Sequence, residues 1–292
     1  MEISEIKKIA VIGAGTMGAQ IAGILSHIGR YEVRMVDIND ELLRKGFQSI
    51  NERLERFFVS KGKLSSEDKN MILNRIKGYT EIGEAANGID LVIEAVIEKM
   101  FLKKEVFKKV DERAPAHAIL ASNTSSLNIS EMAGATNRPE KVVGIHFFNP
   151  VTVMQLVEVI RGARTSAETI EIACGLAKKL GKEPVVCIDT SYGFLANRIY
   201  RGMMEEAVQA VWERVASPQE IDKAMKLGYN LPMGPLELGD MINVWSIRAT
   251  SEEDAIRELG PVKGHLHPLI RAMVRARYTK IYDYWNDVLS RH

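Results

Sequence analysis

Six residues, Gly13-Ala14-Gly15-Thr16-Met17-Gly18, constrain this chain more than any other feature. They form G-x-G-x-x-G at the end of a predicted strand, 8–14, that is apolar without alternation from Ile9, and ahead of a helical spacing of Met17, Ile21, Ile24, Leu25 and Ile28, which Gly29 closes. A strand feeding a glycine turn that opens a helix is the dinucleotide fingerprint. The first glycine permits the tight turn, the second lets a pyrophosphate approach the backbone, and the third lets helix and strand pack closely. The helix start then offers Thr16 and Met17 N–H groups and a partial positive charge to the phosphates. A second predicted strand, 31–36, ends in Asp37, which lies 19 residues beyond Gly18. A carboxylate there can accept hydrogen bonds from a ribose and would repel a 2′-phosphate, so NAD is expected over NADP, with the nearby Arg34 weighing the other way. A glycine turn beside a chance acid is the competing reading, and it must explain strand, turn, helix and acid together.

Further strand-like runs at 89–96, 118–122 and 141–147 are separated by helical stretches. This alternation predicts an α/β fold, a Rossmann-type doubly wound sheet. Residues 40–75 read as a charged helical hairpin broken near Lys61-Gly62-Lys63. After 189 strand signals stop, and Leu195, Ile199, Met203, Val208 and Val211 recur at helical spacing, with Pro218, Pro232 and Pro235 punctuating shorter helices. The boundary is placed near 186–192, giving an N-terminal domain over 1–189 and an all-α C-terminal domain over 190–292.

Net charge excludes one class of partner. With 39 Lys+Arg against 38 Asp+Glu, no global field draws the chain to nucleic acid or an anionic membrane. No apolar run approaches the ~18 residues that span a bilayer. Cys174 and Cys187 have no metal-ligand spacing, so no metal site is expected, and with no secretory signal pattern at the start a reducing cytoplasm is the expected compartment.

His146, in Val143-Gly144-Ile145-His146-Phe147-Phe148-Asn149-Pro150, falls at the end of a predicted buried strand, where ligands sit in open α/β sheets. A lone histidine there is more often structural. Glu158, flanked by apolar residues in Leu156-Val157-Glu158-Val159-Ile160, changes that reading, because a buried carboxylate needs a partner. A return hairpin would set Glu158 beside His146, fixing its tautomer and stabilising the imidazolium. Ser122-Asn123-Thr124-Ser125-Ser126 adds polar groups at another strand end, with Ser126 or Asn128 expected to cap a helix.

These segments, with Glu94-Ala95-Val96-Ile97-Glu98 and Pro232-Met233-Gly234-Pro235, resemble the 3-hydroxyacyl-CoA dehydrogenases, of the stand-alone 3-hydroxybutyryl-CoA type, in the same order over about residues 8–240. The resemblance implies NAD-dependent oxidation of an L-3-hydroxyacyl-CoA, of short chain, to the 3-ketoacyl-CoA, within fatty-acid metabolism. It implies His146 as general base, Glu158 as its orienting partner, and Ser125 and Asn197 on the substrate oxygen. Nicotinamide-side contacts carry over onto Glu98, Lys103, Asn123, Ser125 and Asn149. Relatives pair through the C-terminal domain, so a homodimer is expected. Between residues 44 and 63 Arg44, Lys45, Arg53, Arg56, Lys61 and Lys63 outnumber Glu52 and Glu55, and Arg53, Arg56 and Lys61 are candidates for the CoA phosphates, against a plain solvated face.

Two departures stand out. Asp189-Thr190-Ser191-Tyr192-Gly193-Phe194 has one residue more than the family's Asp-x-Pro-Gly-Phe and lacks its proline. Arg275-Ala276-Arg277-Tyr278-Thr279-Lys280-Ile281-Tyr282 lacks the glycines of the family's last turn and is shorter. Two competing functions share the fold: a sugar-acid (L-gulonate-type) dehydrogenase, which needs no CoA site, and a non-catalytic NAD-binding relative.

Overall fold

In a computed structural model that describes residues 2–190 and 192–290, the chain divides into two compact units, Met1–Thr190 and Ser191–His292. The first unit runs β1 (Lys8–Ile12), α1 (Thr16–His27), β2 (Glu32–Val36), α2 (Asp40–Leu54), α3 (Ser66–Asn74), β3 (Ile76–Tyr79), α4 (Ile82–Ala86), β4 (Leu91–Glu94), α5 (Met100–Arg113), β5 (Ile119–Ser122), α6 (Ile129–Ala133), β6 (Val142–Phe147), β7 (Leu156–Arg161), α7 (Ala167–Lys179) and β8 (Glu183–Ile188). The eight strands form one sheet in the order β3-β2-β1-β4-β5-β6-β7-β8, parallel throughout except for the antiparallel β6–β7 pair. Chain order reverses between β1 and β4, the switch point where α/β sheets open a crevice for ligands.

Central strands are apolar on both faces because helices cover both. All four residues of β4 and of β5 and all six of β6 are buried, and Ile9, Val11, Ile21, Leu25, Leu91 and Ile93 share one core. The two edge strands escaped the sequence reading for the same physical reason. In β3 only Ile76 is buried, and β8 leaves Val186 and Ile188 exposed around Pro184, so neither shows the buried run that marks a central strand. The lower end of the boundary expected at 186–192 therefore falls inside β8. The hairpin is present as α2, a single π-helical turn at Glu55–Val59 and α3, with Gly62 in the left-handed region (φ 66°) at the break.

The second unit is all helix: α8 (Ala196–Trp212), α9 (Pro218–Tyr229), α10 (Pro235–Met241), α11 (Val244–Thr250), α12 (Glu252–Gly264, kinked at Gly260), α13 (Pro268–Arg275) and α14 (Ile281–Tyr284). The buried stripe of α8 is Met204, Ala207, Val208 and Val211, whereas Leu195 and Ile199, expected on that stripe, are 40% and 65% exposed. Pro232-Met233-Gly234-Pro235 proves to be a helix start. Pro235 opens α10, and the fully buried Asp222 accepts from the Leu236 and Glu237 amides at 2.9 and 2.6 Å. A Cβ on Gly234 would fall 2.3 Å from Asp222, which explains the glycine. The Tyr282 hydroxyl donates to the same carboxylate at 2.6 Å, and Asp240 accepts from the Ile281 amide at 2.7 Å. The glycine-poor C-terminal turn is thus anchored by two buried or half-buried carboxylates.

Candidate active site

The glycine turn has the shape its residues predict. Gly13 has φ 107°, and a Cβ on it would sit 2.6 Å from the Ala95 carbonyl oxygen; one on Gly18 would sit 1.8 Å from that of Gly13. Gly15 differs, with nothing within 4 Å of its Cβ position, so its missing side chain leaves open space over the first turn of α1. No side chain caps that helix, so its leading N–H groups, including those of Thr16 and Met17, have no side-chain partner within it. This cradle fits a pyrophosphate. Asp37, just past β2, accepts from the Ala14 amide at 2.7 Å, which ties the glycine turn to the acid. Arg34 is directed elsewhere: its guanidinium donates to the Ala85 and Asn87 carbonyls at 3.0 and 2.6 Å and lies 5.8 Å from the Tyr79 ring.

At the ends of β4 and β5 a charged cluster is folded inside. Lys103, 1% exposed on the first turn of α5, reaches Glu94 at 2.8 Å and Glu98 at 3.0 Å. Glu94 also accepts from the Ser122 hydroxyl (2.6 Å) and the Val96 amide (2.7 Å). Glu98 accepts from the Thr124 hydroxyl, the Ser125 amide and the Ser126 hydroxyl. Burial opposes ionisation of both partners, but it loses. The two carboxylates raise the Lys103 pKa above its ordinary value, and Lys103 with the Thr124 and Ser125 donors holds Glu98 below the usual carboxylate range. Glu98 and Lys103 therefore come together, and Glu94, Ser122 and Thr124 join them without having been singled out. Glu94 could have been found: an acid closing a fully apolar strand with a lysine nine residues on implies a buried pair. Asn128 does cap α6, accepting from the Glu131 amide at 2.7 Å. Ser126 does not; its hydroxyl is used on Glu98 instead.

The β6–β7 hairpin brings the histidine and the second acid into register. His146 and Glu158 are direct cross-strand partners, with Nδ1 2.8 Å from Oε2, and they are 6% and 0% exposed. An ionised carboxylate only accepts, so against an ionised Glu158 the donor of this bond is Nδ1, which leaves Nε2 as the nitrogen turned to other partners. The Phe148 ring lies 4.4 Å from the imidazole. Next door, Asn123 accepts from the Phe147 amide at 2.9 Å, joining β5 to the end of β6. Asn149 follows the histidine by three residues, exposed, with its side-chain oxygen bonded to Gln20 of α1 at 3.0 Å. The hydroxyl of Ser125 makes no hydrogen bond to another described residue.

Asn197 lies in the first turn of α8, in the second unit. Arg53 closes α2, and Arg56 and Lys61 flank the Phe57 ring at 5.4 and 5.7 Å. Among the described residues no group of three or more His, Cys, Asp or Glu side chains is placed to hold a metal ion, and no helix is long and apolar enough to cross a membrane.

Family comparisons meet this geometry. The 3-hydroxyacyl-CoA dehydrogenase NAD binding domain matches residues 8–190, and the C-terminal domain of the same family matches 193–280. The chain belongs to the 3-hydroxyacyl-CoA dehydrogenase family. It is 46% identical over 272 residues to a probable 3-hydroxybutyryl-CoA dehydrogenase of Bacillus subtilis, covering 93% of both chains. It is 44% identical over 283 residues to a 3-hydroxybutyryl-CoA dehydrogenase of Clostridioides difficile, covering 95% of this chain and 99% of the relative. Among solved structures, an (S)-3-hydroxybutyryl-CoA dehydrogenase from Ralstonia eutropha superposes with a TM-score of 0.86 at 41% identity, covering 94% of this chain and 95% of that one. The protein is an NAD-dependent oxidoreductase of the 3-hydroxyacyl-CoA class.

Proposed function

We propose that this dehydrogenase oxidises short-chain L-3-hydroxyacyl-CoA thioesters, 3-hydroxybutyryl-CoA first among them, with His146 as general base. The buried, in-register His146–Glu158 pair carries the reading. NAD, when bound, supplies the acceptor for the hydride leaving C3. Nε2 of His146 takes the hydroxyl proton, and the charge of Glu158 stabilises the resulting imidazolium while its bond to Nδ1 keeps Nε2 aimed and basic. The Ser125 hydroxyl and Asn197 are assigned to the substrate oxygen by their motifs. Glu98, Lys103, Asn123 and Asn149, together at or near the strand ends around His146, are assigned to the nicotinamide side, with the glycine turn and Asp37 on the adenosine side.

Arg53, Arg56 and Lys61 are assigned to the CoA phosphates. Dimerisation is assigned to the helical unit, where Trp212, Leu227, Met241 and Ile247 are 52–78% exposed and offer apolar side chains to a second copy. Its likeness to bacterial 3-hydroxybutyryl-CoA dehydrogenases supports a role in cytoplasmic fatty-acid metabolism.

The test is turnover of acetoacetyl-CoA with NADH, set against L-gulonate with NAD in the oxidative direction. Acetoacetyl-CoA turnover with no L-gulonate oxidation is expected. L-gulonate turnover alone would move the assignment to the sugar acids, and activity with neither would indicate a non-catalytic relative. His146→Gln should lower kcat by about 10²–10⁴ with little change in NAD affinity, as loss of a general base does. A folded, NAD-binding His146→Gln enzyme running at the wild-type rate refutes the mechanism.

A further inference from the structure

Gln20 has no place in the assignments above, yet it is 3% exposed and every polar atom of its side chain is used. Its Nε2 donates to the Thr16 carbonyl at 2.9 Å, and its Oε1 accepts from the Val151 amide at 3.0 Å. Both are backbone groups of fixed polarity, so together they leave the Gln20 amide one orientation. The second Nε2 hydrogen goes to Asn149, and the atom that receives it must be an acceptor, Oδ1, at 3.0 Å. The polarity of Asn149 is thereby set by Gln20, and that of Gln20 by the backbone. With its oxygen held on the Gln20 side, the exposed Asn149 keeps both Nδ2 hydrogens for outside partners. Asn123 is set the same way, its Oδ1 held by the Phe147 amide. These two amides, one just past β5 and one just past β6, therefore both keep N–H donors available.

Resting on the nicotinamide-side assignment above, we infer that Gln20 is a positioning residue: it locks Asn149 as a hydrogen-bond donor to an oxygen acceptor on the cofactor carboxamide or the substrate. It also ties that donor to the helix that receives the pyrophosphate, since Thr16, whose carbonyl it grips, is the first residue of α1.

The experiment is a double-mutant cycle. Gln20→Glu keeps an acceptor for the Val151 amide but loses both donated bonds; Gln20→Met loses them without adding charge. Each is made in the wild-type and in the Asn149→Ala background. NADH affinity is measured by fluorescence titration, kcat and KM for acetoacetyl-CoA by absorbance, and the thermal midpoint on the same samples. In the wild-type background both Gln20 variants should weaken the measured quantity by about tenfold, the scale of one lost hydrogen bond to an oriented donor. In the Asn149→Ala background the same substitutions should cost less than twofold. A loss in NADH affinity identifies the acceptor as the cofactor carboxamide; unchanged NADH affinity with reduced kcat/KM identifies it as the substrate oxygen. Equal losses in both backgrounds would show that Gln20 acts by general support of the fold, or for Gln20→Glu by charge, and would overturn the inference. So would a less than twofold effect in the wild-type background. Failure of the His146 test leaves this cycle interpretable, because NADH binding is read without turnover.

Discussion

Replacing Lys103 by methionine isolates the electrostatics of the buried cluster at the ends of β4 and β5. Methionine fills a similar volume, so the change removes a charge more than it opens a cavity. What remains is Glu94, with a side chain 1% exposed, deprived of its cation at 2.8 Å and left with the Ser122 hydroxyl and Val96 amide. Breaking a buried pair from one side costs about 3–5 kcal/mol, because the partner's desolvation is no longer offset. Glu98 contributes little to that figure, since its side chain is 39% exposed and water screens it. For a unit of this size each kcal/mol moves the midpoint by about 2–4 °C, so a fall on the order of 6–20 °C is expected by calorimetry near neutral pH. In the wild type the depressed pKa of Glu98 adds stability above its ordinary 4.5, and that stability is lost as pH falls through its folded value. Lys103, with its pKa raised, contributes fully below its ordinary 10.5, so it imposes no slope between pH 5 and 8. In the variant the buried charge of Glu94 has no cation to offset its desolvation, and a neutral isostere there relieves that cost. Adding Glu94→Gln to the variant should therefore recover much of the loss. A midpoint within 2 °C of wild type at pH 8, or no recovery on adding Glu94→Gln, refutes this account of the cluster.

Three further outcomes follow from other residues. Asp37→Ala should weaken NAD at least tenfold and narrow discrimination against NADP, because it removes ribose acceptors and a charge repulsion; comparable kcat/KM with both cofactors in the unmutated enzyme would show that Asp37 does not select. Cys187, whose pKa burial and the neighbouring Glu158 and Asp189 push up to about 11, should react with iodoacetamide at pH 8 roughly a hundredfold more slowly than a free cysteine, read by mass spectrometry on the folded protein. Arg277, exposed at the end of α13 with φ 64°, occupies the left-handed position that glycine prefers, so Arg277→Gly should raise the midpoint of the helical unit by an amount equivalent to ~0.5–1 kcal/mol, and a lower midpoint would refute the strain argument.

How much of this was legible in the sequence depends on whether a signal is local. The glycine turn, its strand and its helix are contiguous, so Gly13 to Ile28 could be read directly, and Asp37 needed only a count. The central strands were legible because burial on both faces forces an apolar run; β3 and β8 were not, because an edge position relaxes that demand. The stripe of α8 was read one face too early, since Leu195 and Ile199 are apolar but exposed. The Arg277 turn lacks the expected glycine, yet the backbone takes the left-handed conformation regardless, with the Tyr278 amide still bonded to the Met273 carbonyl at 3.1 Å. Tertiary anchoring of the Ile281 and Tyr282 segment by Asp240 and Asp222 offsets the local cost, and no local pattern could announce it.

The acid–base pair shows why non-local geometry was nonetheless inferable there. Glu158 in an otherwise apolar strand has no reason to be charged unless something meets it, and only an antiparallel return puts His146 opposite. In a strand pair the side-chain period is two, so a one-residue slip would turn Glu158 to the other face of the sheet and leave a buried carboxylate unmatched. Register must therefore be enforced, and the connection between β6 and β7 is held from two sides. Gln20 takes the Val151 amide, and Lys182, 6% exposed with its pKa lowered by burial, donates to the Val151 and Met154 carbonyls at 2.6 and 2.8 Å. Lys182 begins the approach to β8, whose residues pair in parallel with β7 from Leu156 to Arg161, so the strand carrying Glu158 is fixed along one edge by β8 and along the other by β6. The chemistry proposed for two side chains thus depends on a loop clamped by a buried amide and a buried lysine, neither of which belongs to any motif.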